Sequence, residues 1–213
     1  MKKLAVMTAA LLCAALSYAQ AEELKAVALK KPDMAKKATL MDALSKRSSA
    51  REFNAKKLSD QDLADLLWAG NGINRPSRAP KPGRTAPSAR DAQDIDIYAI
   101  TPEGAYLYDA KKNTLEPIAA GDFRAQITAQ PGIAAAPVNL ILVSDLTRLS
   151  GDDAAKASAA DMDAGIVSQN ISLFCAAAGL ATVPRGMIEK DKVAAALKLK
   201  ATQKIILNHP VGY

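Results

Sequence analysis

The sequence predicts an α+β domain, and three observations carry that expectation. Helical stripes with recognisable starts and stops are interleaved with short alternating or β-branched runs. The two kinds of segment do not follow one another as strict strand–helix–strand units, which disfavours a doubly wound parallel sheet. At 213 residues the chain suits one domain whose core needs neither disulfides nor structural metal.

Each element has a local reason. Residues 22–38 include Lys30-Lys31-Pro32 and read as a linker or loosely held arm, so the domain itself is expected over 39–213. A short helix over Leu40 to Leu44 ends near Lys46-Arg47. Ser59 can cap the next helix, with Asp62 at its third position and Leu58 stapled onto Leu63. Leu63, Leu66 and Leu67 form its apolar stripe, on which Trp68 reads as core, and Gly70 is its expected stop. Residues 71–91, with Pro76, Pro80, Pro82, Gly83 and Pro87, read as a long loop, of a length that is usually functional or disordered.

Ile95, Ile97 and Ala99 alternate as a strand, Pro102-Glu103-Gly104 turns the chain, and Ala105 to Tyr108 returns as a hairpin arm. Phe123 to Ile127 is a short helix, and Pro137 to Val143 is a buried strand by length and β-branching. A long helix begins at about Ala157 or Asp161 and runs to Ala178, with Gly179 as its C-terminal stop. Leu180 to Val183 reads as a strand, Lys190 to Leu197 as a helix and Lys204 to His209 as a last strand.

The first 21 residues stand apart from the fold. Lys2-Lys3 precede an uncharged, mostly apolar run from Leu4 to Ser17, followed by small residues and then Glu22-Glu23. That order is the pattern of a secretory signal peptide, with cleavage after Ala19 or Ala21. The run is too short to span a bilayer comfortably, and no other stretch is long and apolar enough, so no stable membrane insertion is expected after cleavage. The expected location is periplasmic or extracellular. Cleavage would leave Cys175 as the one cysteine, set in an apolar helical run and expected to be buried and inert.

Composition excludes several chemistries. Hydrophobic residues at 49% and charged residues at 23% are wrong for a disordered chain. Two cysteines and one histidine cannot make a four-ligand Cys/His zinc site, and no metal is expected. There is no Gly-x-Ser-x-Gly, no P-loop and no Gly-x-Gly-x-x-Gly, and His209 reads as a strand-end side chain. The net charge of +6 is concentrated: residues 46–90 hold ten Lys and Arg against four acids. That loop has no aromatic between 71 and 91, which argues against nucleic-acid binding. What remains is an anion pattern in Arg47-Ser48-Ser49-Ala50-Arg51, where guanidinium forks and hydroxyls suit phosphate oxygens.

Linked motifs extend that pattern. Arg47-Ser48-Ser49-Ala50-Arg51-Glu52-Phe53 resembles the Arg-x-Ser-x-Arg-x-Phe opening of the FMN-dependent nitroreductase family. Leu66-Leu67-Trp68-Ala69-Gly70 through Asn74-Arg75, then Arg84-Thr85-Ala86-Pro87-Ser88-Ala89, follow in that family's order. Ala136-Pro137-Val138, Gln169-Asn170-Ile171 with Gly179-Leu180, and Pro210-Val211-Gly212-Tyr213 complete it. The Arg84 to Ala89 turn looks more like the azoline-dehydrogenase branch than the short nitroreductases.

The resemblance implies a three-layer sandwich, a mostly antiparallel sheet flanked by helices, and an intertwined homodimer with FMN at its interface. By that analogy Arg47, Ser48, Ser49 and Arg51 hold the phosphate and ribityl chain. Pro87, Ser88 and Ala89 come from the partner, and Gly179 and Leu180 approach the ring. The implied activity is a ping-pong oxidoreductase acting on a small electron-poor or conjugated substrate, with chemistry at flavin N5 and no catalytic side chain. NAD(P)H is the expected donor, although an exported protein meets little of it. The family's usual basic residue after the final Gly-Tyr has no counterpart here, which suggests Arg84 or another loop cation as a substitute. It also suggests an alternative, a catalytically degenerate extracytoplasmic protein that binds a flavin or phospholigand.

Overall fold

The computed structural model describes residues 23–213, so the proposed signal peptide and both cleavage positions lie outside the described residues. In chain order the elements are β1 (Val27–Ala28), α1 (Leu40–Lys46), α2 (Asp60–Asn71), β2 (Ile73–Arg75), β3 (Gly83–Arg84) and β4 (Ile95–Ile100). There follow β5 (Gly104–Asp109), β6 (Thr114–Ala120), α3 (Arg124–Ile127), α4 (Pro131–Ala134) and β7 (Val138–Asp145). The last are α5 (Asp153–Ala178), β8 (Ala181–Thr182), α6 (Lys190–Ala196) and β9 (Gln203–Gly212). Seven strands form one sheet in the order β1-β6-β5-β4-β7-β9-β8, every neighbouring pair antiparallel.

The strand alternation explains the layers. Ile95, Ile97, Ala99, Leu140 and Leu142 face a core shared with Leu66 and Leu67 of α2 and Val167 and Ile171 of α5. Tyr98, Ile100, Ile141 and Val143, one residue out of phase, face a second core with Ile127 of α3 and Val193 of α6. A sheet covered on both faces reads as a continuous apolar run, as β7 does. The fold is therefore the three-layer α+β sandwich that the sequence implied.

Caps place the site-bearing helices. Thr39 Oγ1 accepts the Asp42 amide while the Asp42 carboxylate accepts the Thr39 amide, so α1 begins with a capping box and ends at Arg47. Ser59 Oγ accepts the Asp62 amide at 3.0 Å, as the sequence indicated for α2. Gly70, however, does not stop that helix, which continues through Asn71 to a cap at Gly72. Gly70 is needed instead for close approach: a Cβ there would sit 3.1 Å from both Ile171 and Ile97 side chains. Trp68 is half-buried and donates its indole N–H to the Ile73 carbonyl.

Helix α5 starts earlier than the sequence suggested, at Asp153, because the Asp152 carboxylate caps the Ala155 amide at 2.8 Å. It ends where expected, at Gly179 with φ +70, and the Leu180 amide returns to the Cys175 carbonyl at 2.8 Å. A Cβ at Gly179 would meet nothing within 4 Å, so only the backbone conformation demands glycine. Gly179→Ala is therefore expected to cost about 1 kcal/mol in thermal unfolding. A wild-type melting temperature would contradict this.

Three segments depart from the sequence reading. The 71–91 loop contains a two-stranded ribbon, β2 with β3. Strand β6 continues the β4–β5 hairpin, with Pro117 beside a register irregularity where its missing N–H is tolerated. Residues 23–38, within the segment read as a loosely held arm, are docked. Val27 and Ala28 pair with Leu115 and Thr114 as an edge strand, and Leu24 and Leu29 pack on the core. Lys36 then reaches Asp62 and Asp65, each at 3.2 Å. Among the described residues, no helix is long and apolar enough to cross a membrane.

Candidate functional site

The anion-type residues leave α1 along a strip that crosses the end of the sheet. Arg47 is the C-terminal cap of α1, its amide bonded to the Ala43 carbonyl at 2.9 Å. The Ala50 amide then donates to the Thr182 carbonyl at 3.0 Å, and the Asn54 amide to the Tyr213 carbonyl at 3.2 Å. The strip is thereby pinned to β8 at one point and to the end of β9 at another. Ser48 lines a small cavity with Ser172, Cys175, Leu180 and Thr182. The structure thus brings Ser48 and Leu180 together, with Gly179 next to them at the end of α5.

Arg47, Ser48, Ser49 and Arg51 are all exposed. Neither guanidinium pairs with a carboxylate among the described residues. Two forks and two hydroxyls on a backbone fixed at both ends suit a phosphate monoester, because no internal acid competes for them. The donor set fits the phosphate end of FMN.

Sequence reasoning missed one cation here. Arg185 forms a backbone bridge with Asn208 and donates to Asn208 Oδ1, Thr128 Oγ1 and Gln130 Oε1, each at 3.2 Å. All three acceptors are neutral. Burial and the nearby charge of Arg51 both lower its pKa from the usual arginine value. Its signal in the sequence is an arginine between Pro184 and Gly186 directly after a short strand. Arg84, suggested as a substitute cation, is committed elsewhere: it donates to the Asn71 carbonyl at 2.9 Å and to Gln93 Oε1 at 3.2 Å.

Pro87, Ser88 and Ala89 are not beside the strip. The Ala89 amide donates to Asp163 on α5, whereas Ser48 meets α5 around Cys175. About 18 Å of helix separates Asp163 from Cys175 at 1.5 Å per residue. One protomer therefore does not assemble the two groups into one pocket. Pro87 is exposed, and the apolar side chains Met162 and Ile166 are exposed on the same stretch of α5.

His209 is fully buried inside β9 rather than at a strand end. Its Nε2 lies 2.8 Å from Ser168 Oγ and its Nδ1 3.2 Å from Thr182 Oγ1. Burial lowers its pKa to about 3, so the ring is neutral at pH 7 and ties α5 to β8 beneath the strip. Cys175 is buried and its pKa is pushed up by burial, which keeps the thiol protonated and unreactive.

Comparison with known proteins identifies the family and the fold. The family model described as "Nitroreductase family" matches residues 44–213. A protein of Methanocaldococcus jannaschii, provisionally named a nitroreductase, is 28% identical over 186 residues, 81% of this chain and 90% of that protein. A crystal structure of a provisionally named nitroreductase from Ralstonia eutropha superposes with a TM-score of 0.81 at 32% identity, covering 89% of each chain. A Desulfovibrio desulfuricans structure, provisionally named a nitroreductase and solved in complex with FMN, shares the fold. Its TM-score is 0.59 at 20% identity, covering 81% of this chain and 84% of that one.

Proposed function

Because the chain belongs to the nitroreductase family, we propose that it is an exported, homodimeric FMN-dependent oxidoreductase acting on a small electron-poor or conjugated substrate. The observation that carries this reading is the Arg47–Arg51 strip: two guanidiniums without acid partners among the described residues, pinned to β8 beside Gly179 and Leu180. The FMN complex of the Desulfovibrio relative supports the choice of flavin.

Bound FMN supplies hydride chemistry at its N5 position. The protein's own residues bind and orient. Arg47 and Arg51 neutralise the phosphate, while Ser48 and Ser49 donate to its oxygens and to the ribityl hydroxyls. Gly179, which carries no side chain, and Leu180, whose side chain turns inward, leave room for a flat ring beside the backbone. With no acid–base side chain assigned, donor and acceptor occupy one pocket in turn, and NAD(P)H is one candidate donor.

The separation along α5 supports the homodimer. A Pro87–Ser88–Ala89 turn that cannot reach its own strip can complete the site of a second copy. Leu40, Met41 and Leu44 on α1, with Met162 and Ile166 on α5, offer exposed apolar surface for that contact. Export rests on the basic, apolar and small-residue order of residues 1–21.

The test is the absorption spectrum of the purified protein. Yellow protein that releases FMN on denaturation is the expected result, together with dithionite- or NAD(P)H-driven turnover of a nitroarene or an azoline substrate. A colourless dimer that fails to take up added FMN overturns the reading.

A further inference from the structure

A buried carboxyl pair, Asp94 and Asp163, has no part in the function proposed above. Asp163, on α5, is 3% exposed and accepts the Ala89 amide at 2.9 Å and 3.1 Å with its two oxygens. Asp94 precedes β4, is 0% exposed and accepts the Ser144 hydroxyl. Its second oxygen, Oδ1, has no hydrogen-bond donor among the described residues. Burial raises the Asp94 pKa most, and the nearby Asp163 carboxyl adds to the rise. The neutral form of Asp94 therefore persists up to about pH 6.

Asp163 adds an anchor to a strained turn that also bonds within itself, the Asp91 amide to the Ser88 carbonyl and the Ala92 amide to the Ala89 carbonyl, each at 3.0 Å. Arg90, Asp91 and Gln93 have φ of +50, +57 and +53, three left-handed conformations in residues with side chains. Each costs on the order of 1 kcal/mol and persists only where surrounding contacts impose it. Ser88 Oγ accepts the Gln93 amide at 2.8 Å, and Asp163 fixes the preceding amide at Ala89. A carboxylate makes the stronger, charge-assisted bond that such a strained segment requires.

We propose that Asp163, backed by Asp94, is the positioning residue that sets the Pro87–Ser88–Ala89 turn against the flavin held by a second copy of the chain. The proposal rests on the FMN-dependent reading of the preceding subsection. Because the turn meets the ring side of the ligand and the Arg47–Arg51 strip meets the phosphate, loss of Asp163 weakens FMN and riboflavin by the same factor.

Fluorescence titration of the apoprotein with FMN and with riboflavin, in parallel with size-exclusion chromatography, tests this. Asp163→Ala is expected to weaken both ligands roughly tenfold while the dimer remains. Asp163→Asn, which keeps one acceptor for the Ala89 amide, is expected to recover most of that loss. If the alanine variant fails to fold, the asparagine variant decides, with an equal loss of about threefold for both ligands. Wild-type affinities in the folded variants overturn the proposal, as does a loss confined to FMN. Failure of the wild-type protein to bind either flavin overturns the functional reading and this proposal together.

Discussion

Replacing Arg47 and Arg51 together by alanine is expected to weaken FMN binding roughly a hundredfold while changing riboflavin binding by less than about twofold. The two ligands differ only in the phosphate, so their ratio isolates the contact that the strip is proposed to make. Both side chains are exposed and neither takes part in an ion pair among the described residues, so the substitution removes no internal support. The folded state and its melting temperature should be unchanged. Wild-type FMN binding should also weaken as salt rises, and the variant should lose most of that dependence. Equal losses for FMN and riboflavin would place the phosphate elsewhere, with Arg185 the first residue to test. Its guanidinium faces Arg51 and holds only neutral partners.

The parts of the fold legible in the sequence are those with a local cause. Ser59 and Gly179 mark helix ends because their side chain or backbone freedom acts within a turn of its own position. Strand β7 is readable because both its faces are covered, which leaves an unbroken apolar run. Strand β6 hides because Glu116 and Pro117 interrupt its strand signal, and pairing with β5 overrides them. The docked arm hides for the same reason: Val27 and Ala28 are exposed, and their partners lie in β6, far along the chain.

The candidate site divides in the same way. Arg47 to Arg51 is contiguous and belongs to a motif, so its chemistry can be read directly. Asp94 and Asp163 are ordinary acids in the sequence, brought together only when α5 packs across the start of β4. His209 reads as a strand-end side chain in the sequence, because its bonds to Ser168 and Thr182 depend on three separate elements.

Asp94→Asn should raise stability at neutral pH, against the usual expectation for a buried polar change. Burial is the largest cause that raises the Asp94 pKa, to about 6, with the neighbouring Asp163 adding to it and the Ser144 hydroxyl opposing it. In the unfolded chain the same group titrates near its ordinary 3.8. Between those values the folded state binds the extra proton, so stability falls as pH rises from about 4 to about 6 and is flat above. A shift of that size corresponds to about 3 kcal/mol, present below the unfolded pKa and lost by pH 7. Asparagine can donate its amide to Asp163 and accept from Ser144, reproducing the protonated acid at every pH.

Urea unfolding of both proteins at fixed concentration from pH 4 to pH 8 measures this as a difference. That difference cancels the opposing contributions of Asp62, Asp91 and Asp122, whose pKa values are lowered and whose stabilisation fades toward acid. The curves should meet near pH 4 and separate through pH 6, the variant ending higher by up to about 3 kcal/mol. A variant equal to or weaker than wild type at pH 7 would show that folding does not raise the Asp94 pKa.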